Sequence, residues 1–450
     1  MASWKLIVEN YGKIKFAEIE VAPLTLFVGD NNSGKSYLMS LLWGIQKYGV
    51  EGLIGKEFVD TEEANKLLDW IIMQINISFE KKEHRVSLGE ISRLLNTFLN
   101  IQLEKNKENL LKWIFNSQSI EIEKIEIQFE NLKDKYMYLK FNEATKKFQI
   151  SGKEGYSFKF SEGIKKRLGE KKDCLDWDFI AAICSIALNI DVREYPMYEN
   201  CVYLPAARTG FILTKDIINK VGRKNTFNLS NEKENVTLFI NPINQFLDIM
   251  GDLSLEGKGN DKCLELASDI ENEMTNGTIE ISSMPNKEFL YVPIGYAKGI
   301  PLRLSSAVVT ELSPLVLILK HYDVLERFYY EEPEMCLHPQ LQSKMGKIIG
   351  RMVNAGIGMV VTTHSDIMLQ HINNMIKLAK RPDCSEICGK LGYTELDLLQ
   401  PEQIKIYQLR AKVKEKTEVE ELLCGEEGFV VPTFNDALDN IMNEAYEIQG

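Results

Sequence analysis

The chain opens with short apolar runs separated by polar turns. Their alternation predicts strands over 4–8 and 13–21, then a wholly apolar strand over 24–28. An apolar run at helical spacing follows over 37–43. From about residue 60 the pattern changes. Helical spacing covers 61–73 and 89–115, and β-rich runs over 120–129, 136–141, 148–150 and 156–160 predict hairpins. An apolar helix over 177–188 ends this region. No heptads persist through it, so a long coiled-coil arm is not expected.

Strands and helices then alternate. A strand is predicted over 201–205, a polar loop over 221–236, and helices over 242–252 and 263–274. Strands follow over 277–282, 289–294 and 300–304. A helix over 308–322, a β-rich run ending at Glu331, a helix over 341–353 and an apolar strand from Gly358 come next. A strand pair and a last helix over 434–449 close the chain.

A net charge of −12 disfavours a surface broadly committed to nucleic-acid phosphates. The basic stretches Lys165-Lys166-Arg167 and Lys171-Lys172 are short and suit a solvated face. Eight cysteines lack C-x-x-C or Cys/His spacing and read as reduced, packed thiols. There is no signal-peptide architecture and no apolar run of about 18 residues. A soluble, cytoplasmic protein without a membrane partner is expected.

The chemistry begins at Gly29-Asp30-Asn31-Asn32-Ser33-Gly34-Lys35-Ser36, which fits G-x-x-x-x-G-K-[ST], a phosphate-binding loop. It lies between an apolar strand and an apolar helix, so backbone N–H groups and the positive helix end converge on an anion. Gly29 and Gly34 permit close backbone approach. Lys35 is expected to reach the β- and γ-phosphates of ATP, and the Ser36 hydroxyl to ligate Mg²⁺. The expected nucleotide-binding set is Gly29, Asn31, Asn32, Ser33, Gly34, Lys35, Ser36 and Tyr37.

A second run, Arg327-Phe328-Tyr329-Tyr330-Glu331-Glu332-Pro333-Glu334, ends a strand in carboxylates. In nucleotide hydrolases such a strand lies beside the phosphate-loop strand. Glu331 is expected to hold Mg²⁺, and Glu332 to position and activate the attacking water. About thirty residues later, Gly358-Met359-Val360-Val361-Thr362-Thr363-His364-Ser365-Asp366 places His364 at a strand's C-terminal end, where an imidazole can sense a γ-phosphate. Ser305 or Ser306 caps the helix over 308–322, with Glu311 near a capping-box position. Capping alone explains these serines; the alternative is a second phosphate-binding helix N-terminus serving a neighbouring copy.

These elements, in this order, resemble the ABC-type ATPase heads of the SMC, Rad50 and overcoming-lysogenization-defect (OLD) group. Closest in pattern is the bacterial subgroup carrying Glu-Glu-Pro-Glu-x-x-Leu-His-Pro, here Glu331 to Pro339, and Thr-Thr-His-Ser-Asp, here Thr362 to Asp366. Val8-Glu9-Asn10-Tyr11-Gly12-Lys13-Ile14 and Leu204-Pro205-Ala206-Ala207-Arg208-Thr209-Gly210-Phe211 are similar to that group as well. The resemblance implies an α/β ATPase head with a mixed β-sheet lobe and a helical lobe, plus an inserted α+β region. The implied segments are 1–56 and 201–410 for the head, 57–200 for the insertion and 411–450 for a C-terminal strand and helix. It implies a head-to-tail dimer, or a higher homo-oligomer, with ATP at the interface. Ser305 and Ser306 match the signature loop that closes on the partner's γ-phosphate, although Ser306 and Ala307 replace its glycines. His338 and Pro339 fall in the segment that crosses the interface, and Gln46 and Gln74 are the candidates for the glutamine after the first helix.

Three uses of ATP compete. The first is control of a separate effector, a nuclease or toxin, in an anti-phage system with a phage protein as trigger, as in the PARIS, Septu and retron ATPases. The second is a DNA-repair or chromosome-maintenance ATPase resembling RecF and SMC heads, with DNA as partner. The third, a self-contained OLD-type nuclease, is disfavoured because no D-x-D motif follows His364.

Overall fold

The computed structural model describes residues 4–55, 61–129, 132–142, 147–152, 157–160, 177–188, 201–214, 239–255, 259–283, 288–322, 325–411, 415–432 and 442–448. The predicted loop over 221–236 and the basic stretches at 165–172 lie outside them, as does most of the predicted last helix; its described part, 442–448, is helical. The chain divides into two compact units. One comprises 1–21 and 41–195, the other 22–40 and 196–450.

In the first unit, Trp4–Tyr11 pairs antiparallel with both Ile14–Glu20 and Lys124–Phe129. A four-stranded antiparallel sheet joins Glu83–Ser87, Tyr136–Asn142, Lys147–Gly152 and Ser157–Phe160 in that order. Helices Glu62–Lys81 and Ser92–Phe115 complete the pattern read from the sequence. Thr61 caps the first of them by accepting a hydrogen bond from the Ala64 N–H. Gln74 is buried here and meets the His84 ring at 2.9 Å, an internal partner for one of the glutamine candidates.

The second unit is built on a mixed sheet. Five parallel strands stand in the order Cys201–Leu204, Arg327–Glu331, Gly358–Thr362, Leu24–Gly29 and Ile404–Arg410. Thr417–Leu422 pairs antiparallel with the last of these. The inner strands are buried at every position, which is why they read as unbroken apolar runs rather than alternating ones. Helices Asn241–Asp252, Asp261–Ile270, Ala307–His321, Pro339–Asn354 and Asp366–Lys380 accompany the sheet. Leu26, Val28, Leu204, Phe328, Val361, Leu315 and Ile349 share one core. Each such side chain contributes about 1.5–3 kcal/mol on burial.

Two expectations need correction. The acidic strand Arg327–Glu331 is not the neighbour of the phosphate-loop strand: Gly358–Thr362 lies between them, hydrogen-bonded to both. The helix Pro339–Asn354 returns the chain as a parallel strand beside the acidic strand, whose other edge is taken by Cys201–Leu204. The predicted strand over 300–304 is only Ile300–Pro301, followed by a 3₁₀ turn, Leu302–Leu304, in which Leu302 alone is buried. Among the described residues no helix is long and apolar enough to cross a membrane, and the described cysteines are all free thiols.

Candidate nucleotide site

The site lies within the second unit, at the C-terminal ends of its parallel strands. Leu24–Gly29 ends in the loop, and the helix that follows starts at Lys35. Gly29 and Gly34 have φ of 118° and 104°, values that a side chain strongly disfavours. A Cβ on Gly29 would stand 2.1 Å from the Leu409 carbonyl oxygen. Leu409 and its successor brace the loop from the far strand: Asp30 N donates to Leu409 O at 3.1 Å, and Ala411 N to Asp30 Oδ2 at 2.9 Å. Asn31, Asn32, Ser36 and Tyr37 are exposed around the loop, whereas Ser33 is buried.

Lys35 is buried and turns back into the loop. Its Nζ donates to Gly29 O at 3.0 Å and to Asp30 O at 2.6 Å. Burial pulls its pKa down to about 8, against the opposing pull of the Glu332, Asp30 and Glu334 carboxylates. One buried cation thus faces three acids from two strand ends.

Glu331 and Glu332 take different environments. Glu331 is buried, and its Oε2 accepts from Ala206 N at 2.9 Å. Glu332 is half-exposed and sits at φ 42°, a left-handed conformation rare outside glycine. Its N–H is held by Thr362 O at 2.9 Å, and its Oε1 stands 4.0 Å from His364 Nε2. His364 is held below the usual histidine range by burial and then by the Lys35 charge, so its ring is neutral at pH 7. The His364–Glu332 contact is therefore between a neutral ring and a carboxylate.

Glu334 is the residue that the sequence reading left without a role. The turn at Glu332–Pro333 carries it back, and its Oε1 accepts from Thr363 Oγ1 at 3.0 Å and His364 N at 2.6 Å. Its Oε2 is buried with no hydrogen-bond partner. Burial pushes its pKa up. The carboxylate triplet in Glu-Glu-Pro-Glu was visible; that the third one fixes the histidine loop was not.

Ser306 caps the helix Ala307–His321, its Oγ accepting from Val309 N at 3.4 Å. Ser305 Oγ is buried and has no partner. Glu311 does not join a capping box. It is buried, and its Oε2 accepts from the Thr209 N–H and hydroxyl at 3.0 and 2.7 Å. His338 is exposed and precedes Pro339, the first residue of its helix.

These residues fit MgATP. The loop is a cradle that a Cβ at Gly29 would fill, a cation points into it, and Glu334 Oε2 is an orphaned polar atom beside that cation. Among the described residues no cluster of three or more His, Cys, Asp or Glu side chains is arranged to hold a metal. Mg²⁺ at nucleotide sites needs no such cage, since phosphates and water supply most of its ligands.

Strand, glycine loop, buried lysine, acidic strand end and histidine define a P-loop ATPase of mixed α/β fold, with a β-sheet lobe and a helical lobe. A family model described as an AAA ATPase domain matches residues 1–369, and the chain belongs to that family. A search of curated proteins finds no match. Among solved structures, the chain is similar to an Smc head bound to the C-winged helix domain of ScpA, at 13% identity over 94% of this chain and 98% of that one, with a TM-score of 0.39. It is also similar to an Smc head with an extended coiled coil, bound to the C-terminal domain of ScpA from Pyrococcus furiosus, at 13% identity, full coverage of both chains and a TM-score of 0.36. An SMC head from Thermotoga maritima matches at 10% identity over 93% of this chain and 98% of that one, with a TM-score of 0.33.

Proposed function

We propose that the chain binds and hydrolyses MgATP and couples turnover to the pairing of two copies. The observation that carries this reading is the convergence of the buried Lys35 ammonium with Glu332, Glu334 and the neutral His364 at the C-terminal ends of three parallel strands. Lys35 and the loop N–H groups hold the phosphates. Ser36 and Glu331 would hold Mg²⁺ together with water, and the ion would supply charge neutralisation at the phosphates. Glu332, half-exposed and pointing at His364, orients the attacking water and takes its proton. His364 reports the γ-phosphate. Ser305 and Ser306, at the start of a helix outside the loop's own strand–helix unit, serve the nucleotide of the second copy.

The partner moved by this cycle is proposed to be DNA, as in the SMC- and RecF-type heads that the motif order resembles. Control of a separate effector nuclease or toxin is the second reading, and the net charge of −12 favours it. One experiment separates them. Duplex DNA and the products of neighbouring genes are each tested for capture by the wild-type chain with MgATP, with Lys35→Met as control. ATP-dependent capture of DNA alone supports the first reading, and of a gene product alone the second. Absence of ATP binding by the wild type in calorimetry would remove the ATPase reading itself.

A further inference from the structure

Arg208 begins the helical segment 208–214, just after the strand Cys201–Leu204, and no role for it follows from the phosphate chemistry above. Its side chain is wholly buried. One face of the guanidinium covers the Tyr330 ring, 4.7 Å from the centroid. Nη1 donates to Pro205 O at 2.8 Å and to Glu331 O at 2.6 Å. Nη2 donates to Glu332 O at 3.1 Å and pairs with Glu311 Oε1 at 2.7 Å. A single side chain therefore ties three segments together: the Pro205 carbonyl before it, the backbone carbonyls of both carboxylate residues at the acidic strand end, and the Glu311 carboxylate on the helix that begins after Ser306.

Two physical points give this arrangement meaning. A buried ion pair adds little net stability over an apolar pair of equal volume, so stability alone does not account for it. And Glu332 holds a left-handed φ of 42°, which persists only where its surroundings enforce it. The enforcement is visible: the Glu332 N–H donates to Thr362 O, and its carbonyl accepts from Met335 N and from Arg208 Nη2. Together they hold the peptide groups on either side of its Cα, and with them the direction in which its side chain leaves the backbone. Glu311 anchors the other end of the clamp. It sits on the first turns of a helix whose next residues, Leu312 to Leu319, are all buried.

We propose that Arg208 is a positioning residue that sets the aim of Glu332, and that the Glu311–Arg208 pair ties this aim to the helix carrying Ser305 and Ser306. The inference rests on the reading of Glu332 as the group that activates water. Engagement of the serine loop by a nucleotide on a second copy would then act on hydrolysis through this pair, without direct contact between Ser306 and Glu332.

The test compares Arg208→Lys, Arg208→Met/Glu311→Leu, Glu332→Gln and the combined variant Arg208→Lys/Glu332→Gln. Lysine keeps the charge for Glu311 but cannot fork to two carbonyls. The Met/Leu pair removes both charges together and leaves neither buried alone. ATP affinity is measured by calorimetry, and turnover by phosphate release at saturating MgATP. Arg208→Lys is expected to bind ATP within about threefold of wild type and to turn over at least about tenfold more slowly, the scale of a small misplacement of a catalytic group. In the Glu332→Gln background the same change should slow turnover by less than about twofold, because the group it aims is already gone. The inference is overturned if folded Arg208→Lys keeps turnover within about twofold of wild type, if affinity and turnover fall together, or if its effect is undiminished in the Glu332→Gln background. Arg208→Met/Glu311→Leu should repeat the Arg208→Lys split; if it does not fold, Arg208→Lys alone decides. A wild type without MgATP turnover, or a Glu332→Gln variant at wild-type rate, would instead refute the ATPase reading on which this one stands.

Discussion

Lys35→Met should change the pH dependence of stability in a way that only a buried, charged Lys35 predicts. The ammonium has a pKa of about 8 in the folded protein against an ordinary 10.5. At about 1.4 kcal/mol per pH unit, the gap corresponds to about 3 kcal/mol. Between these pH values the unfolded chain keeps the proton that the folded chain has released, so the unfolded state binds more protons and wild-type stability rises with pH. Methionine has nothing to titrate. The wild type should therefore gain about 3 kcal/mol on the variant between pH 8 and 10.5, while other groups titrating there cancel in the difference. At pH 7 the variant loses hydrogen bonds from Nζ to Gly29 O and Asp30 O, at about 1 kcal/mol each. It should then be more stable than the nucleotide-free wild type by about 1 kcal/mol. Urea midpoints of both proteins from pH 7 to 10.5, without nucleotide, give the difference directly. Saturating MgATP should raise the midpoint of the wild type and leave the variant unmoved. A stability difference that stays constant with pH, or that moves in the variant's favour as pH rises, would refute the burial argument.

Three further outcomes are expected. Glu332→Gln should bind ATP within about threefold of wild type and hydrolyse it about 10² times more slowly; if Glu331→Gln abolishes turnover and Glu332→Gln does not, the two roles are exchanged. Gly29→Ala forces a side chain onto φ 118° and against Leu409 O, and should cost roughly 3 kcal/mol or more in a denaturation experiment and lose ATP binding. Lys35→Met mixed with Ser305→Ala/Ser306→Ala should recover hydrolysis that neither shows alone, once each is known to fold, since cap loss at Ser306 costs about 1 kcal/mol. Verified heterodimers without any recovery would argue for a site completed within one chain.

The strand, loop and helix around Lys35 were legible because local rules suffice for them. A strand buried on both faces reads as unbroken apolar sequence, and the two glycines stand where the backbone needs positive φ. The same holds for the strand that ends at Thr362, just before His364. Strand order was not legible in this way. Nothing local in Gly358–Thr362 says that it docks between the acidic strand and the loop strand, because that choice depends on how the preceding helix returns the chain. Leu302–Leu304 misled for a related reason: alternation of Leu and Arg suits a strand, but among the described residues the pairing ends at Pro301 and the segment tightens into a turn. The partners of Glu311 are about a hundred positions away, at Arg208 and Thr209. At that separation spacing carries no signal, and a capping role was the only one a local rule could offer.

The brace on the phosphate loop comes from Leu409 and Ala411, the latter 381 positions from Asp30. A ribosome making this chain places the loop residues in the nascent polypeptide long before it makes their support. Closing so distant a contact is entropically slow, and the partly made chain carries an unsupported glycine loop meanwhile. The loop therefore cannot take its braced form until residues 404–411 have been made. The matched family region stops at residue 369, short of both bracing residues, so a fragment ending there would keep the glycine loop and Lys35 and lack what holds them in shape. In such a fragment, Asp30 N–H would have lost its acceptor and the loop strand the hydrogen-bonding edge that Ile404–Arg410 now covers.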